Sequence, residues 1–258
     1  PSVTETLAAR DAPKVGNKKI LVVGIYLAAQ QNNVDDIVRV LSGSQRHQVS
    51  QRWIALQGDP PTEMVADVTV GRYDDPTPKF VILNEVLAQQ DLDHYDYVMV
   101  CDDDVVLPER FVDEFFALQS RLGFVIAQPA RTSTSYIDIP LVEQYPGLLA
   151  RETLFVEQGP VISFDRRAIF DQVFPFDLTS HMGWGLENVW SLAVSERELA
   201  MGIIDNVPVD HSIRKPVANY DWNEADAGRT ELLSKVRHRP SEECYKVVKI
   251  VPLFGAGS

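Results

Sequence analysis

Three consecutive acids, Asp102, Asp103 and Asp104, follow the apolar run 97–101. An apolar run of this length, rich in Val and Tyr, predicts a buried strand of a parallel sheet. In open α/β sheets, ligands bind just beyond the carboxyl ends of the strands. Three carboxylates there repel one another unless a cation neutralises them, and oxygen ligands suit Mg²⁺ or Mn²⁺ bridged to a substrate phosphate. The alternative is that the acids only cap a helix that begins near Pro108, and we favour the metal and phosphate role.

A second set of residues that could act on a substrate lies in the stretch 181–190, HMGWGLENVW. Gly185 permits a tight turn with positive φ, and Trp184 offers a flat apolar face that could stack on a sugar ring. Glu187 and Asn188 begin a helix off its apolar stripe, so both are expected to face a cleft, where Glu187 could accept a proton from an attacking hydroxyl. Equally, Glu187 could only sit favourably at a helix N-terminus while Trp184 belongs to the core. On this stretch alone the two interpretations stay open.

A third set follows the last predicted strand. Asp210 and His211 end that strand as the three acids end theirs, so we expect both groups at the same edge of the sheet. An imidazole that joins carboxylates suits Mn²⁺ better than Ca²⁺ or Mg²⁺. The next basic residues, Arg214 and Lys215, could neutralise a leaving diphosphate. A single His is more often structural than a ligand, and the two basic residues could equally be solvated surface groups.

The composition restricts the classes of function. The chain of 258 residues has 45% hydrophobic and 24% charged residues, which is ordinary for a soluble globular protein. Its formal net charge of −13 argues against a nucleic-acid partner, because such proteins present a basic surface. No apolar run approaches the roughly 18 residues of a membrane span, so we expect no transmembrane segment in this chain, while peripheral membrane association stays compatible with it. Cys101 and Cys244 form neither a disulfide framework nor a metal motif, and a reducing, cytoplasmic location is expected.

Strand and helix signals alternate along the chain. The predicted strands are 18–26, 49–56, 65–70, 97–101, 124–128, 155–163 around a Gly-Pro turn, 201–209 and 245–251. The predicted helices are 34–41, 79–90, 109–122, 166–173 and one that follows the turn at 181–185. The segment 131–151 is predicted to be a long loop. This alternation predicts an α/β fold with a Rossmann-like, mostly parallel central sheet and helices on both faces.

The same patterns predict the domain organisation. Residues 1–17 are polar and without periodicity, so we expect a flexible N-terminal arm. One catalytic domain is expected over 18–222. A charged, weakly periodic C-terminal extension, 223–258, is expected to pack on the same domain.

Several functional motifs are absent from the sequence. Gly24 stands alone in the first strand rather than in a G-x-G-x-x-G turn, which argues against a dinucleotide-binding oxidoreductase. There is no G-x-x-x-x-G-K-[ST] phosphate loop and no G-x-S-x-G nucleophile elbow, which argues against a P-loop ATPase and a serine hydrolase. A sugar-1-phosphate nucleotidyltransferase would have a Gly-rich, basic loop after the first strand, and the stretch 26–33, YLAAQQNN, does not provide one.

Taken together, these motifs resemble the GT-A glycosyltransferase superfamily. A strand that ends in an acidic DxD-type motif, a G-W-G-x-E-N turn and a strand that ends in His follow one another in this order between residues 18 and 215. The helix PKFVILNEVL, with Lys79 and Asn84 ahead of the acidic strand, resembles the segment near the nucleotide in family-2-like members. The stretches FVEQGPVISFDRRAIF, HMGWGLENVW and GIIDNVPVDHSI most resemble a little-characterised group shared by plants and bacteria.

The resemblance implies roles for individual residues. Asp102 and Asp104 would hold the metal and the donor diphosphate, with His211 as a further metal ligand, and Asp103 would reach the ribose or support the site. The implied donor-binding residues are Lys79, Asn84, Asp102, Asp103 and Arg214, the substrate-binding residues are Trp184, Gly185 and Asn188, and the catalytic residues are Glu187 and Asp104. Glu187 falls where inverting members place the catalytic base. Many of those have Glu-Asp at this turn and use the Asp, and a Glu-Asn pair also occurs among retaining members, so the base and the stereochemistry stay open.

The implied function is metal-dependent glycosyl transfer. The enzyme would use Mn²⁺ or Mg²⁺ and move a sugar from a nucleoside diphosphate sugar to a hydroxyl acceptor, a glycan or polysaccharide precursor. Two alternatives remain: a sugar-1-phosphate nucleotidyltransferase on a similar sheet, and a catalytically silent binding module that keeps the fold. Turnover of a donor, with or without acceptor, separates the three.

Overall fold

The computed structural model describes residues 16–215 and 222–253, and these residues form one nine-stranded sheet flanked by helices. The strands are β1 (Lys19–Leu27), β2 (Gln48–Leu56), β3 (Thr69–Tyr73), β4 (Tyr97–Asp102), β5 (Phe124–Arg131), β6 (Leu148–Thr153), β7 (Val161–Asp165), β8 (Ala200–Val209) and β9 (Val247–Pro252). The helices are α1 (Val34–Ser42), α2 (Glu63–Ala66), α3 (Lys79–Ala88), α4 (Phe111–Leu122), α5 (Arg166–Val173), α6 (Leu186–Glu196), α7 (Trp222–Lys235) and α8 (Ser241–Cys244). The spatial order of the strands is β3-β2-β1-β4-β7-β5-β8-β6-β9.

The sheet is mixed, and the prediction of a mostly parallel sheet was wrong. The pairs β2–β3, β1–β2, β1–β4 and β5–β8 are parallel. Antiparallel pairing joins β7 to β4 and β5, and β6 to β8 and β9. A strand that is buried on both faces has the same apolar pattern whichever way it runs, so its direction could not be read from the sequence. Because β7 runs against its two neighbours, its first residues lie beside the carboxyl ends of β4 and β5.

Apolar side chains pack on both faces of the sheet, and helices cover both faces as predicted. Along β1, Ile20 and Val22 belong to one cluster while Leu21 and Val23 belong to the other, because successive side chains of a strand point to opposite faces. The first cluster includes the apolar stripe of α1 and the phenylalanines of α4. The second includes the apolar side chains of α3 and Trp190 of α6.

Several element boundaries differ from the prediction. The segment 65–70 was expected to be a strand, but α2 occupies its start, where the Thr62 hydroxyl accepts a hydrogen bond from the Val65 N–H and caps the helix. The segment 131–151 was expected to be a loop throughout, yet β6 begins at Leu148. The predicted N-terminal arm lies outside the described residues apart from 16–17.

The C-terminal residues contribute to the same sheet. Strand β9 pairs antiparallel with β6 and forms one edge. Helix α7 packs against the short turn 178–180, just before the G-W-G stretch. Within 16–215 and 222–253, no helix combines the length and the apolarity that crossing a bilayer requires.

Candidate active site

The three acids and the histidine predicted from the sequence meet at one edge of the sheet. Asp102 is the last residue of β4, and Asp210 and His211 directly follow β8. A bridge joins the two segments, because the Val106 N–H donates to the Asp210 carbonyl at 2.8 Å and the Asp210 N–H donates to the Val106 carbonyl at 3.2 Å. This backbone bridge fixes where the side chains on either side of it can lie.

Asp104 and His211 contact each other directly. Nε2 of His211 lies 3.1 Å from Oδ1 of Asp104, and both side chains are largely buried. Burial favours the neutral form of Asp104, but the hydrogen bond to His211 and the charges of His211, Arg214 and Lys79 outweigh it and lower its pKa. Asp104 is therefore held as a carboxylate at neutral pH.

Asp103 turns into the protein and supports the site. Its carboxylate accepts the Leu27 N–H at the end of β1 at 2.7 Å and a hydrogen bond from Nη2 of Arg214, also at 2.7 Å. The same Nη2 lies 3.1 Å from Oδ2 of Asp104, so one guanidinium serves two neighbouring acids. Burial raises the pKa of Asp103, while Arg214 and the Leu27 N–H oppose that rise. The side chain is 3% exposed, which favours support of the site over contact with a ribose.

Asp102 points in a different direction. Its Oδ1 accepts a hydrogen bond from Nζ of Lys79 at the start of α3, and its N–H donates to the Pro160 carbonyl at 2.8 Å. A Cβ added to Gly159 would lie 2.8 Å from Oδ2 of Asp102, so the chain before β7 passes directly over this carboxylate. A side chain at this position would require the Asp102 carboxylate to shift.

The predicted metal ligands are brought together only in part. Among the described residues, no group of three His, Cys, Asp or Glu side chains is placed to hold a metal ion, because Asp102 pairs with Lys79 while Asp104 pairs with His211. A carboxylate and an imidazole form a donor pair that suits Mn²⁺, whose remaining positions water or donor phosphate oxygens can fill. Nε2 of His211 is the nitrogen that faces the acid, while the buried Nδ1 has no hydrogen-bond partner among the described residues. The residues present fit a metal held by Asp104 and His211, and the expected three-residue set with Asp102 is not formed.

The G-W-G turn lies beside this acidic site. Gly183 and Gly185 have φ values of 85° and 92°, and a Cβ on Gly183 would come within 2.1 Å of the Phe80 ring. Phe80 follows Lys79 in α3, so the turn packs against the helix whose Lys79 pairs with Asp102. Oε2 of Glu187, in the first turn of α6, accepts a hydrogen bond from Nε2 of Gln158 at 2.8 Å. Burial raises the pKa of Glu187, and backbone N–H groups and Gln158 partly oppose the rise.

Structure comparison finds a similar fold in solved structures. S. aureus TarS 1–349 in complex with UDP matches with a TM-score of 0.51 at 9% sequence identity, over 74% of this chain and 59% of that chain. The mannosyltransferase PcManGT from Pyrobaculum calidifontis, in complex with GDP-Man and Mn²⁺, matches with a TM-score of 0.55 at 11% identity, over 84% of this chain and 64% of that one. The chain has the GT-A glycosyltransferase fold.

The likeness extends to the fold and no further at such identities. S. aureus TarS 1–349 also matches in complex with UDP-GlcNAc, with a TM-score of 0.51 at 10% identity, over 77% of this chain and 62% of that chain. The GT-A chain described here thus spans less than two thirds of the length of these structures. No family model and no curated protein matches its sequence.

Two predicted site residues have structural roles in this GT-A chain. Asn188 was expected to face a cleft, but it is 4% exposed and its amide donates to the Arg239 carbonyl at 2.9 Å and to Ser241 Oγ at 3.2 Å. It thereby holds the segment before α8 against α6. The Asn84 amide donates to the Phe176 carbonyl at 2.9 Å and accepts the Phe176 N–H at 2.8 Å, so it anchors the chain before the G-W-G turn. Both amides are engaged with protein backbone rather than presented to a ligand.

Trp184 and Gly185, the other two predicted substrate-binding residues, also differ in role. Trp184 is half-buried, and its ring centroid lies 5.2 Å from that of Trp222, which is 56% exposed. Gly185 lies under α7, where an added Cβ would come within 3.2 Å of Arg229. Its predicted contact with a substrate therefore has less support than its role in the turn.

Three residues that contact the candidate site are absent from the prediction. Arg131, at the end of β5, is buried and lies 2.6 Å from Oε2 of Glu157, and it donates to the Gly159 carbonyl at 2.8 Å. Gln158 lies between Glu157 and Gly159 in the sequence and contacts Glu187. The only available signal was the unusual Glu-Gln-Gly-Pro sequence, which was interpreted as part of a strand.

Proposed function

We propose that this chain transfers a glycosyl group from a nucleoside diphosphate sugar to a hydroxyl acceptor. The observation that carries the proposal is the meeting of Asp102, Asp103 and Asp104 with His211, Arg214 and Lys79 at the carboxyl edge of a GT-A sheet. Proteins with this fold have been solved in complex with UDP, with UDP-GlcNAc, and with GDP-Man and Mn²⁺. These complexes support the proposal that the donor diphosphate binds at the three acids.

The charges of the site suit a diphosphate that arrives with a cation. Lys79 and Arg214 already lie against the acids, and phosphate oxygens would compete with those acids for the two basic groups. Asp104 and His211 would hold Mn²⁺, which when bound neutralises charge on the departing nucleoside diphosphate. Arg214, fixed by Asp103, would keep its guanidinium in place throughout the reaction. Neutralising the charge of the leaving nucleoside diphosphate is then the main contribution of the half of the site that holds the three acids.

The acceptor half of the site is built around Glu187. Its carboxylate contacts Gln158, and the next residue, Gly159, lies against Asp102. We assign Glu187 as the base that takes the proton of the acceptor hydroxyl while the oxygen attacks the anomeric carbon, which inverts the configuration of that carbon. The aromatic pair Trp184 and Trp222 at the rim favours a glycan acceptor, because an aromatic face packs well on the apolar face of a sugar.

Thermal unfolding with a panel of ligands is the first test. A ligand that binds only the native state stabilises it by about 2.7 kcal/mol at a hundredfold excess over Kd. We expect UDP or GDP, or the corresponding sugar nucleotides, to raise Tm in the presence of Mn²⁺ and less in EDTA. Donor turnover is then followed by release of the nucleoside diphosphate, and the anomeric configuration of the product by NMR.

Three outcomes would redirect the assignment. No rise in Tm and no turnover with any donor would favour a silent binding module. Formation of a sugar nucleotide from a nucleoside triphosphate and a sugar phosphate would favour a nucleotidyltransferase. Transfer with retention of configuration would remove the role of Glu187 as base and leave the donor site intact.

A further inference from the structure

The segment Glu157, Gln158 and Gly159 passes between the two halves of the site. Each of these residues contacts a different part of the site: Glu157 pairs with Arg131, Gln158 with Glu187, and Gly159 lies against Asp102. The segment therefore fixes how the donor side and the acceptor side are placed relative to one another.

The Gln158 amide has only one orientation that satisfies its contacts. Its Nε2 lies 2.6 Å from the Gly183 carbonyl oxygen and 2.8 Å from Oε2 of Glu187. A carbonyl oxygen can only accept, so the amide nitrogen must be on this side, and its two hydrogens then serve Gly183 and Glu187. By accepting one N–H of the Gln158 amide, the Gly183 carbonyl directs the other N–H toward the Glu187 carboxylate. A donor in that place favours the ionised form, which is the form a base requires.

The backbone around Gln158 is held on both sides by buried groups. Before it, the Glu157 N–H donates to Oε1 of Gln128, which is 1% exposed. After it, the Gly159 carbonyl accepts from Arg131, which also pairs with the Glu157 carboxylate. Gln158 has little freedom to move away from Glu187.

We propose that Gln158 is the positioning residue for Glu187: its amide, held by Gly183, orients the Glu187 carboxylate toward the acceptor. The inference rests on the proposed function and names the residue on which the base depends. Gln158 contacts the Glu187 carboxylate directly, so its proposed role is to position that base.

Other ionisable groups also act on Glu187 and define the background for a titration. Arg229 on α7 favours its ionised form. Burial is the main cause that raises the pKa of the Cys244 thiol and of the Tyr245 phenol, and the Glu187 charge adds to both rises. These groups act through charge, whereas Gln158 forms a side-chain hydrogen bond with the carboxylate.

The test is Gln158→Met, which keeps the length of the side chain and removes both polar atoms. We expect kcat to fall about ten- to hundredfold with an unchanged donor KM, because a hydrogen bond to a charged group is lost. The pKa of Glu187 should rise further, because the hydrogen bond that favours the carboxylate is lost, so the acidic limb of the kcat profile should move to higher pH. That pKa is measured directly by ¹³C NMR of glutamate-labelled protein, with Glu187→Gln to assign the resonance.

Two further variants make the result decisive. Gln172→Met changes an exposed glutamine on α5 and should leave kcat and the Glu187 titration at their wild-type values. Gln158→Asn keeps the amide on a side chain that is one methylene shorter. This variant takes the place of Gln158→Met if Gln158→Met does not fold.

The proposal is overturned if the Glu187 titration and the pH profile of the Gln158 variants match wild type, even where stability or kcat falls, since a purely structural role produces that result. The NMR titration needs no donor. Failure of the proposed function, seen as no turnover by the wild type, is thereby separated from failure of this inference.

Discussion

His211 places Nε2 3.1 Å from Oδ1 of Asp104, although 107 positions separate the two residues in the chain. The contact depends on the parallel course of β4 and β8 and on the Val106–Asp210 bridge between the segments that follow them. Ser135 completes the arrangement, because its hydroxyl accepts the His211 N–H at 2.9 Å. A carboxylate and an imidazole therefore lie together at the carboxyl ends of the strands, the edge at which open α/β sheets generally bind ligands.

Asp104→Asn should remove the metal-dependent part of nucleotide binding. The amide keeps the size of the side chain but loses the negative charge that attracts a divalent cation. We expect the increase in Tm that Mn²⁺ adds to a saturating nucleoside diphosphate to disappear in this variant. Asp91→Asn, at an exposed acid that caps no helix through its side chain, is the matched control. An unchanged Mn²⁺ effect in Asp104→Asn would show that the metal is held elsewhere.

Glu187→Gln should separate binding from transfer. Glutamine can still hydrogen-bond but cannot accept the acceptor proton, and general-base catalysis contributes about 10²–10⁴-fold. We expect the donor-induced increase in Tm to persist and the rate of transfer to fall by that factor. Glu196→Gln, on the same helix but exposed and paired with Arg237, should transfer at the wild-type rate. Wild-type turnover by Glu187→Gln would leave Glu187 only a structural role.

Glu157 should make the stability depend on pH. Burial raises its pKa to about 7, while the charge of Arg131 opposes the rise. A raised pKa in the folded state means that Glu157 is protonated in the folded chain, and ionised in the unfolded chain, between about pH 4.5 and 7. The stabilisation of the folded state by this proton is therefore complete below that range and is lost as pH rises through 7. The free energy of unfolding should fall over this interval, by at most about 3 kcal/mol from this group.

Glu157→Gln should flatten this dependence, because glutamine can still donate to or accept from neighbouring groups without titrating. Urea unfolding at pH 5, 6, 7 and 8 measures the slope. Glu231→Gln, at an exposed acid on α7, should keep the wild-type slope. Equal slopes in wild type and Glu157→Gln would show that the Arg131 pair keeps Glu157 ionised throughout the range.

The sequence allowed the main strands and one half of the site to be predicted. The apolar runs that became β1, β2 and β4 are too long and too rich in Val and Ile for loops, and their boundaries differ from the prediction by at most one residue. The rule that strand carboxyl ends share an edge correctly brought Asp104 and His211 together. These inferences depend only on local patterns and on a general property of α/β sheets.

What could not be predicted depends on contacts between distant segments. Asn188 is off the apolar stripe of α6, yet it is buried because the segment 239–244, fifty residues later, folds over it. Likewise, the function of Gln158 comes from Gly183 and Glu187, which no periodic pattern connects to it. The direction of β7 also has no local signal, since its side chains are buried whichever way it runs.

Gly183→Ala should disturb the turn more than the same change at another glycine with positive φ. At Gly183 a Cβ would lie 2.1 Å from Gln158 Oε1 and 2.1 Å from the Phe80 ring, in a backbone conformation with φ of 85°. At Gly123, where φ is 68°, no atom lies within 4 Å of an added Cβ, so only the conformational cost of about 1–2 kcal/mol remains. We expect Gly183→Ala to cost about 2–4 kcal/mol, because overpacking adds to that strain. Transfer should also slow, since Gln158 must move away from Glu187, whereas Gly123→Ala should keep its activity. Urea unfolding and initial rates measure both effects, and equal losses of stability with equal rates in the two variants would show that Gly183 is needed for its backbone conformation alone.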